Sequence, residues 1–226
     1  MNIHIIVAMT AEAKYMIQKL GLHEVTTNED FLVYHKEFEN KFVRLFVNKK
    51  TDKIDNFGTV QAALLTYKSI QFIRPDFIFN IGTCGGIQKH SVDLFNVICA
   101  KDFVIYHDRY IGEEFIKNRC GFFKCIDYSS VFPDFKHGII GTSNSIIITP
   151  KSWELIDKFH VKCVDMEAAA IAEVAQEFGI PFSTLKVVTD LVSENKITDT
   201  GAEFRTNFHK AMSFVSEKLE LLLSAY

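Results

Sequence analysis

Three carboxylates stand where apolar runs end. Glu12 follows the run at residues 2–8 across Met9-Thr10-Ala11. Asp190 follows the run at 182–188, directly after Thr189. Glu167 closes Val164-Asp165-Met166-Glu167, just ahead of an alanine-rich segment. A further apolar run, 77–81, feeds Gly82-Thr83-Cys84-Gly85-Gly86. Ligands of open α/β sheets bind beyond the carboxyl ends of the strands, so these segments are expected on one rim. Each acid alone has a plainer reading. Glu12 and Glu167 suit the first turn of a helix, where the dipole favours negative charge, and Asp190 suits a turn. The glycine-rich loop lacks the spacing of a phosphate or dinucleotide fingerprint and implies only that backbone approaches something closely. Taken jointly, three acids and a small-residue loop point to a site for a neutral, hydroxyl-rich ligand.

The elements that must carry them follow from periodicity. Residues 2–8, with Ile3, Ile5, Ile6 and Val7, read as a buried strand. Ala13, Met16, Ile17 and Leu20 share a helical face, and Gly21 suits the stop. Residues 31–38 and 41–47 are β-rich runs joined at Glu39-Asn40, the pattern of a hairpin. Val60, Ala63, Leu64 and Tyr67 predict a helix that ends before Pro75. Strands are predicted at 77–81, 94–100, 103–106 and 182–188, and a β-like stretch at 139–148; residues 110–133 read as irregular. Residues 165–178 predict a helix stopped by Gly179 and Pro181. Phe204, Phe208, Ala211, Val215, Leu219 and Leu222 lie on one face of a last helix. Apolar strands alternating with helices predict a three-layer α/β/α fold with a central, mostly parallel and partly mixed sheet, as a single domain over 1–226.

Composition narrows the class. With 226 residues, 48% hydrophobic, and 25 Lys+Arg against 28 Asp+Glu, the chain reads as one globular unit. That charge balance excludes a strongly basic nucleic-acid binder. No apolar stretch approaches a membrane span. The first residues lack the basic start of a signal peptide. Five scattered cysteines argue against a disulfide framework and for a reducing cytoplasm. Cys120, Cys125 and His107 are the nearest approach to a metal-ligand set, and they lack its spacing. No metal and no organic cofactor is expected. The 21 Phe against one Trp are an excess without an assigned purpose at this level.

The segments MNIHIIVAMTAEAKYM, FIFNIGTCGGI, DLFNVICAKDFVIYHD and CVDMEAAAIAEVAQEFGIPFSTLKVVTD resemble the purine nucleoside phosphorylase and nucleosidase superfamily. Within it they are most similar to the 5′-methylthioadenosine/S-adenosylhomocysteine nucleosidases, across nearly the whole chain. The resemblance implies an N-ribosyl hydrolase that cleaves adenine from a ribose derivative through an oxocarbenium-like transition state. It assigns Asp190 as general acid to N7 of adenine, with Thr189 fixing it, and Glu12 as the base that activates water. It places Glu167 on the ribose hydroxyls and Met166 under the sugar. Ala8, Met9, Thr83, Cys84, Gly85 and Asp165 fall in the binding segments, and Ile146 and Ile147 match the stretch whose main chain reads the adenine edge. It also implies a homodimer, with contacts matching Phe103 and Tyr106-His107, and a place in methionine salvage.

Phosphorylases of the superfamily carry arginines where Glu12 and Asn80 stand here. A carboxylate repels a phosphate dianion and activates a water, so hydrolysis is expected over phosphorolysis. Three departures bear on the substrate. Ile146 and Gly201 stand where the nucleosidases keep Phe, with Phe204 near the second position, and Lys186 stands where they keep Arg. A purine nucleoside phosphorylase, or a hydrolase of futalosine, adenosine or 5′-deoxyadenosine, is the alternative, and a binding protein without catalysis is a third reading.

Overall fold

A computed structural model describes residues 1–25, 31–38, 40–109, 112, 114, 121–194 and 200–224. Glu39 of the expected hairpin turn, Tyr110 and Cys120 lie outside the described residues. The strands are β1 (Asn2–Val7), β2 (His23–Val25), β3 (Phe31–Phe38), β4 (Lys41–Asn48), β5 (Phe77–Ile87), β6 (Val97–Tyr106), β7 (Phe122–Lys124), β8 (Lys136–Thr142), β9 (Cys163–Asp165) and β10 (Phe182–Val192). The helices are α1 (Thr10–Leu20), α2 (Thr59–Phe72), α3 (Pro150–Lys158), α4 (Ala168–Glu177), α5 (Thr200–Ser216) and α6 (Leu219–Ser224).

One mixed sheet runs β10-β6-β8-β9-β5-β1-β4-β3-β2, with β7 added on β6. Parallel pairing joins β1 to β4 and β5, β5 to β10, and β8 to β6 and β9. A further pairing of β10 with β5 closes β5, β9, β8, β6 and β10 into a ring. The sequence reading expected an open rim; the ring curls half of the sheet around one end.

Alternation along the strands feeds a core on each face. Ile3, Ile5 and Val7 of β1 and Phe77, Phe79 and Ile81 of β5 meet Met16 of α1 and Ala211 and Val215 of α5. Ile6 and Ile78 face the other way, onto Leu65 of α2 and Ala168, Ala172 and Ala175 of α4. The expected last helix is broken into α5 and α6, yet Phe208, Ala211, Val215, Leu219 and Leu222 all remain buried. The α2 helix forms where expected, but Val60, Leu64 and Tyr67 are 62%, 48% and 47% exposed, while Ala62, Leu65, Thr66 and Ile70 are buried. Among the described helices none is long and apolar enough to cross a membrane.

Four local expectations are corrected. Residues 82–86 are not a loop but continue β5. Small side chains are required there: a Cβ at Gly85 would lie 2.6 Å from Val192 Cγ2, and one at Gly86 2.8 Å from Val188 Cγ1. Thr189 and Asp190 likewise lie inside β10, at a register shift between Val188 and Asp190. The runs expected at 94–100 and 103–106 give one strand that starts only at Val97, with its register shifted between Ala100 and Val104, where Asp102 adopts a φ of 67°. Residue 165 ends a strand rather than starting a helix, and α4 begins only at Ala168. Helix α3 was not expected; its signal is Thr149-Pro150, where Thr149 caps Ser152 N and Pro150 takes the first turn.

Candidate active site

The ring gathers the ends of β5, β8, β9 and β10 beside the β1–α1 turn. A cavity of about 350 Å³ opens there. Ala8, Met9, Glu12, Thr83, Cys84, Gly85, Ile146, Asp165, Met166, Glu167, Thr189 and Asp190 all line it. Ile147 does not: it is exposed, and its amide donates to Ser145 Oγ at 3.0 Å. Phe57, His107, Ser143, Ser145, Ile148, Val164 and Val192 complete the wall with Gly201 and Phe204. Most of these lie in connections after strands, where periodicity carries no signal. Phe57 had one available clue, its place directly before a glycine that opens a helix.

Glu12 is 3% exposed. Thr83 holds one oxygen twice, by its amide at 2.8 Å and its hydroxyl at 2.9 Å, both to Oε1. The Met9 amide approaches Oε2 at 3.4 Å. Burial pushes the carboxyl above its ordinary range, and Lys186 and the Thr83 bonds pull back against that.

Lys186 is 1% exposed and lies under the site. Its Nζ sits 2.7 Å from Asp165 Oδ2 and 3.8 Å from Glu167 Oε2. Burial works against its charge, but Asp165, Glu167 and Glu12 together outweigh that and hold it protonated. Asp165 is anchored further by the Thr142 hydroxyl at 2.5 Å and the Ala168 amide at 2.9 Å. It is thus a structural partner of Lys186 and a cap on α4. Glu167 takes one bond from the Gly58 amide at 3.1 Å. Gly58 has a φ of 96°, and a Cβ there would meet Asn144 Oδ1 at 2.7 Å. One buried ammonium cannot neutralise three buried carboxyls. Burial first, then Asp165 and Glu12, push Glu167 up to about 7 against the pull of Lys186.

Asp190 is pushed up to about 6, mainly by burial and also by Glu203, while the Thr189 hydroxyl, donating at 2.8 Å, opposes the rise. The site therefore sets an acid that holds its proton to higher pH than a free aspartate opposite a carboxyl fixed by Thr83, across a largely apolar cavity. No Arg or Lys is among its described lining residues. Asn80 does not reach it either: its amide donates to the Ile6 carbonyl and accepts from Thr184 Oγ1.

His107 is 1% exposed, and among the described residues neither ring nitrogen has a hydrogen-bond partner. Burial lowers its pKa, so the ring is neutral. Of the residues expected at a subunit contact, Tyr106 and His107 are buried within the chain and Phe103 is half-buried. Phe103 packs on Phe122, and Tyr106 donates to Glu173 beneath Arg109.

Comparison with known proteins agrees with this geometry. The family model for the phosphorylase superfamily matches residues 2–224. A 5′-methylthioadenosine nucleosidase of Arabidopsis thaliana is 32% identical over 212 residues, covering 89% of this chain and 78% of that protein. A 5′-methylthioadenosine/S-adenosylhomocysteine nucleosidase of the same plant is 32% identical over 229 residues, covering 95% and 87%. The solved apo structure of an Arabidopsis thaliana 5′-methylthioadenosine nucleosidase superposes with a TM-score of 0.89 at 28% identity, covering 99% of this chain and 94% of that one.

Proposed function

The chain belongs to the phosphorylase superfamily, and from that premise we propose that it hydrolyses 5′-methylthioadenosine and S-adenosylhomocysteine to adenine and the ribose derivative. Like the nucleosidases it resembles, it is an N-ribosyl hydrolase. The observation that carries the choice of reaction is Glu12: a buried carboxylate fixed by Thr83 on a cavity wall whose described residues include no cation. Such a wall suits a neutral water and repels phosphate.

The steps follow from the groups present. Asp190 donates its proton to N7 of the base, so adenine leaves as a neutral molecule when the C1′–N9 bond breaks. Water attacks C1′ and gives its proton to Glu12. Glu167 accepts hydrogen bonds from the ribose hydroxyls; the cation that develops on the sugar favours its ionised form, so the attraction grows toward the transition state and lowers the barrier and not only the binding energy. Met166 lies against the sugar, and Phe57 and Phe204 supply the aromatic rings that the positions of Ile146 and Gly201 lack.

Val60, Leu64 and Tyr67 give α2 an exposed apolar face, beside Phe57 at the cavity wall. That face supports a homodimer built on α2. Within cells the same reading places the enzyme in a reducing cytoplasm, in methionine salvage. The deciding experiment measures free base from methylthioadenosine, S-adenosylhomocysteine, 5′-deoxyadenosine, adenosine, inosine and futalosine, with and without phosphate. The proposal expects adenine from the first two without phosphate. A requirement for phosphate, with ribose 1-phosphate as product, overturns it.

A further inference from the structure

Asp190 sits in an irregular part of its strand. Val188 pairs with Cys84 and Asp190 with Gly85, so Thr189 is an extra residue that the β5 ladder does not accommodate. On its other side β10 pairs with β6 over Leu185–Val187, and Val188 still exchanges bonds with Asn96 O and Phe95 N at 3.0 Å each, but no ladder bond to β6 continues beyond it among the described residues. Helix α5 takes up that edge instead. Asn207 Nδ2 donates to the Thr189 carbonyl at 2.8 Å, and the Leu191 amide donates to Glu203 Oε2 at 3.1 Å. Residues 203 and 207 are one helical turn apart and face the same way.

We propose that Glu203 and Asn207 are positioning residues for the general acid, holding the main chain on either side of Asp190. The plainer account of Glu203, a first-turn helix acid, explains neither its bond to Leu191 nor the match with Asn207 one turn on. The groups facing Asp190 divide by element. Its own strand supplies the Thr189 hydroxyl, β5 supplies Gly85, and α5 supplies Glu203, with the apolar Phe204 on the same cavity wall. Lys186, the cation on the same strand, is held by Asp165. Glu203 is accordingly the charged neighbour that raises the carboxyl.

The inference rests on Asp190 as the general acid, and the test separates the two. Adenine release from 5′-methylthioadenosine is followed against pH in wild type, Glu203→Gln and Asn207→Ala. Glutamine still accepts from Leu191 but carries no charge. Glu203→Gln is expected to move the basic limb of kcat/KM to lower pH by about half a unit, less than the roughly 1–3 units of a charge in direct contact. Asn207→Ala is expected to lower kcat about tenfold or more, through lost alignment, without moving that limb. A limb in Glu203→Gln that coincides with wild type, or Asn207→Ala at the wild-type rate, overturns the proposal. If the wild type releases no adenine, the reading of the reaction fails, and the clamp is judged without turnover. In that case the Asp190 carboxyl should still titrate lower in Glu203→Gln by carbon-13 NMR, and the Leu191 amide should exchange faster in Glu203→Ala. Unchanged values in both measurements overturn it.

Discussion

Replacing Asp190 by Asn tests the acid assignment through activity and stability at once. The amide is close in size, and its oxygen can still accept from the Thr189 hydroxyl. It cannot give a proton to the base, so turnover should fall by about 10²–10⁴, the usual worth of a general acid, while substrate still binds. The stability effect comes from the same burial. A carboxyl whose pKa is higher folded than unfolded stabilises the fold fully below its unfolded value, and that contribution is lost as pH rises through the folded value. For Asp190 the window runs from 3.8 to about 6. The full difference corresponds to about 3 kcal/mol; partial water access lowers that to about 2 kcal/mol. Asparagine never ionises, so Asp190→Asn should be more stable than wild type by about 2 kcal/mol at pH 8. For a chain of this length that is a rise in Tm of about 4–8 °C. At pH 4 the two proteins should melt within about 2 °C of each other. The assay is thermal unfolding at both pH values and one protein concentration, beside adenine release. Unchanged turnover removes Asp190 from the acid role. An equal Tm difference at pH 4 and pH 8 refutes the raised pKa on which that role depends.

Other perturbations address the rest of the site. Glu12→Gln should slow hydrolysis by about 10²–10⁴ with little change in substrate affinity; a wild-type rate would refute the base assignment. Lys186→Met leaves Asp165 and Glu167 without their buried cation and should cost about 3–5 kcal/mol in urea unfolding. It should also move the acidic limb of activity to higher pH, because Lys186 lowers the Glu12 pKa; an unmoved limb would mean that this charge does not reach Glu12. Gly85→Ala puts a Cβ 2.6 Å from Val192 Cγ2 and 3.2 Å from Asp190 Oδ2, and should cost about 1–3 kcal/mol and much of the activity. Val192→Ala in the same chain should restore stability, and its failure to do so would show that the clash lies elsewhere. Leu64→Glu on the exposed face of α2 should yield monomers by sedimentation; dimers that persist would place the interface on another surface.

The longer strands and helices were readable from spacing, because burial of one face imposes a period of two or 3.6 on neighbouring residues; the three-residue strands β2, β7 and β9 are too short to show one, and α3 was missed. So were the three acids, because ionisable side chains directly after apolar runs stand out without any knowledge of partners. Chain-local patterns also misled in instructive ways. The glycines at 82–86 read as a loop, yet they are strand residues kept small by Val188, Val192 and Glu12 across the sheet. Val60, Leu64 and Tyr67 marked a helix correctly, but their outward direction depends on how α2 lies against Leu65, Ile70 and their neighbours in the core. Tertiary structure alone decided the rest. Closing the ring between β5 and β10 brings residues 12, 83, 167 and 190 around one cavity, although the chain separates them by as many as 178 positions. It also sets Lys186 against Asp165 and Glu167, and α5 against the bulge at Thr189. Which carboxyl keeps its proton follows from those distances and from exclusion of water. The residue types were written in the sequence, but their charge states exist only in the folded chain.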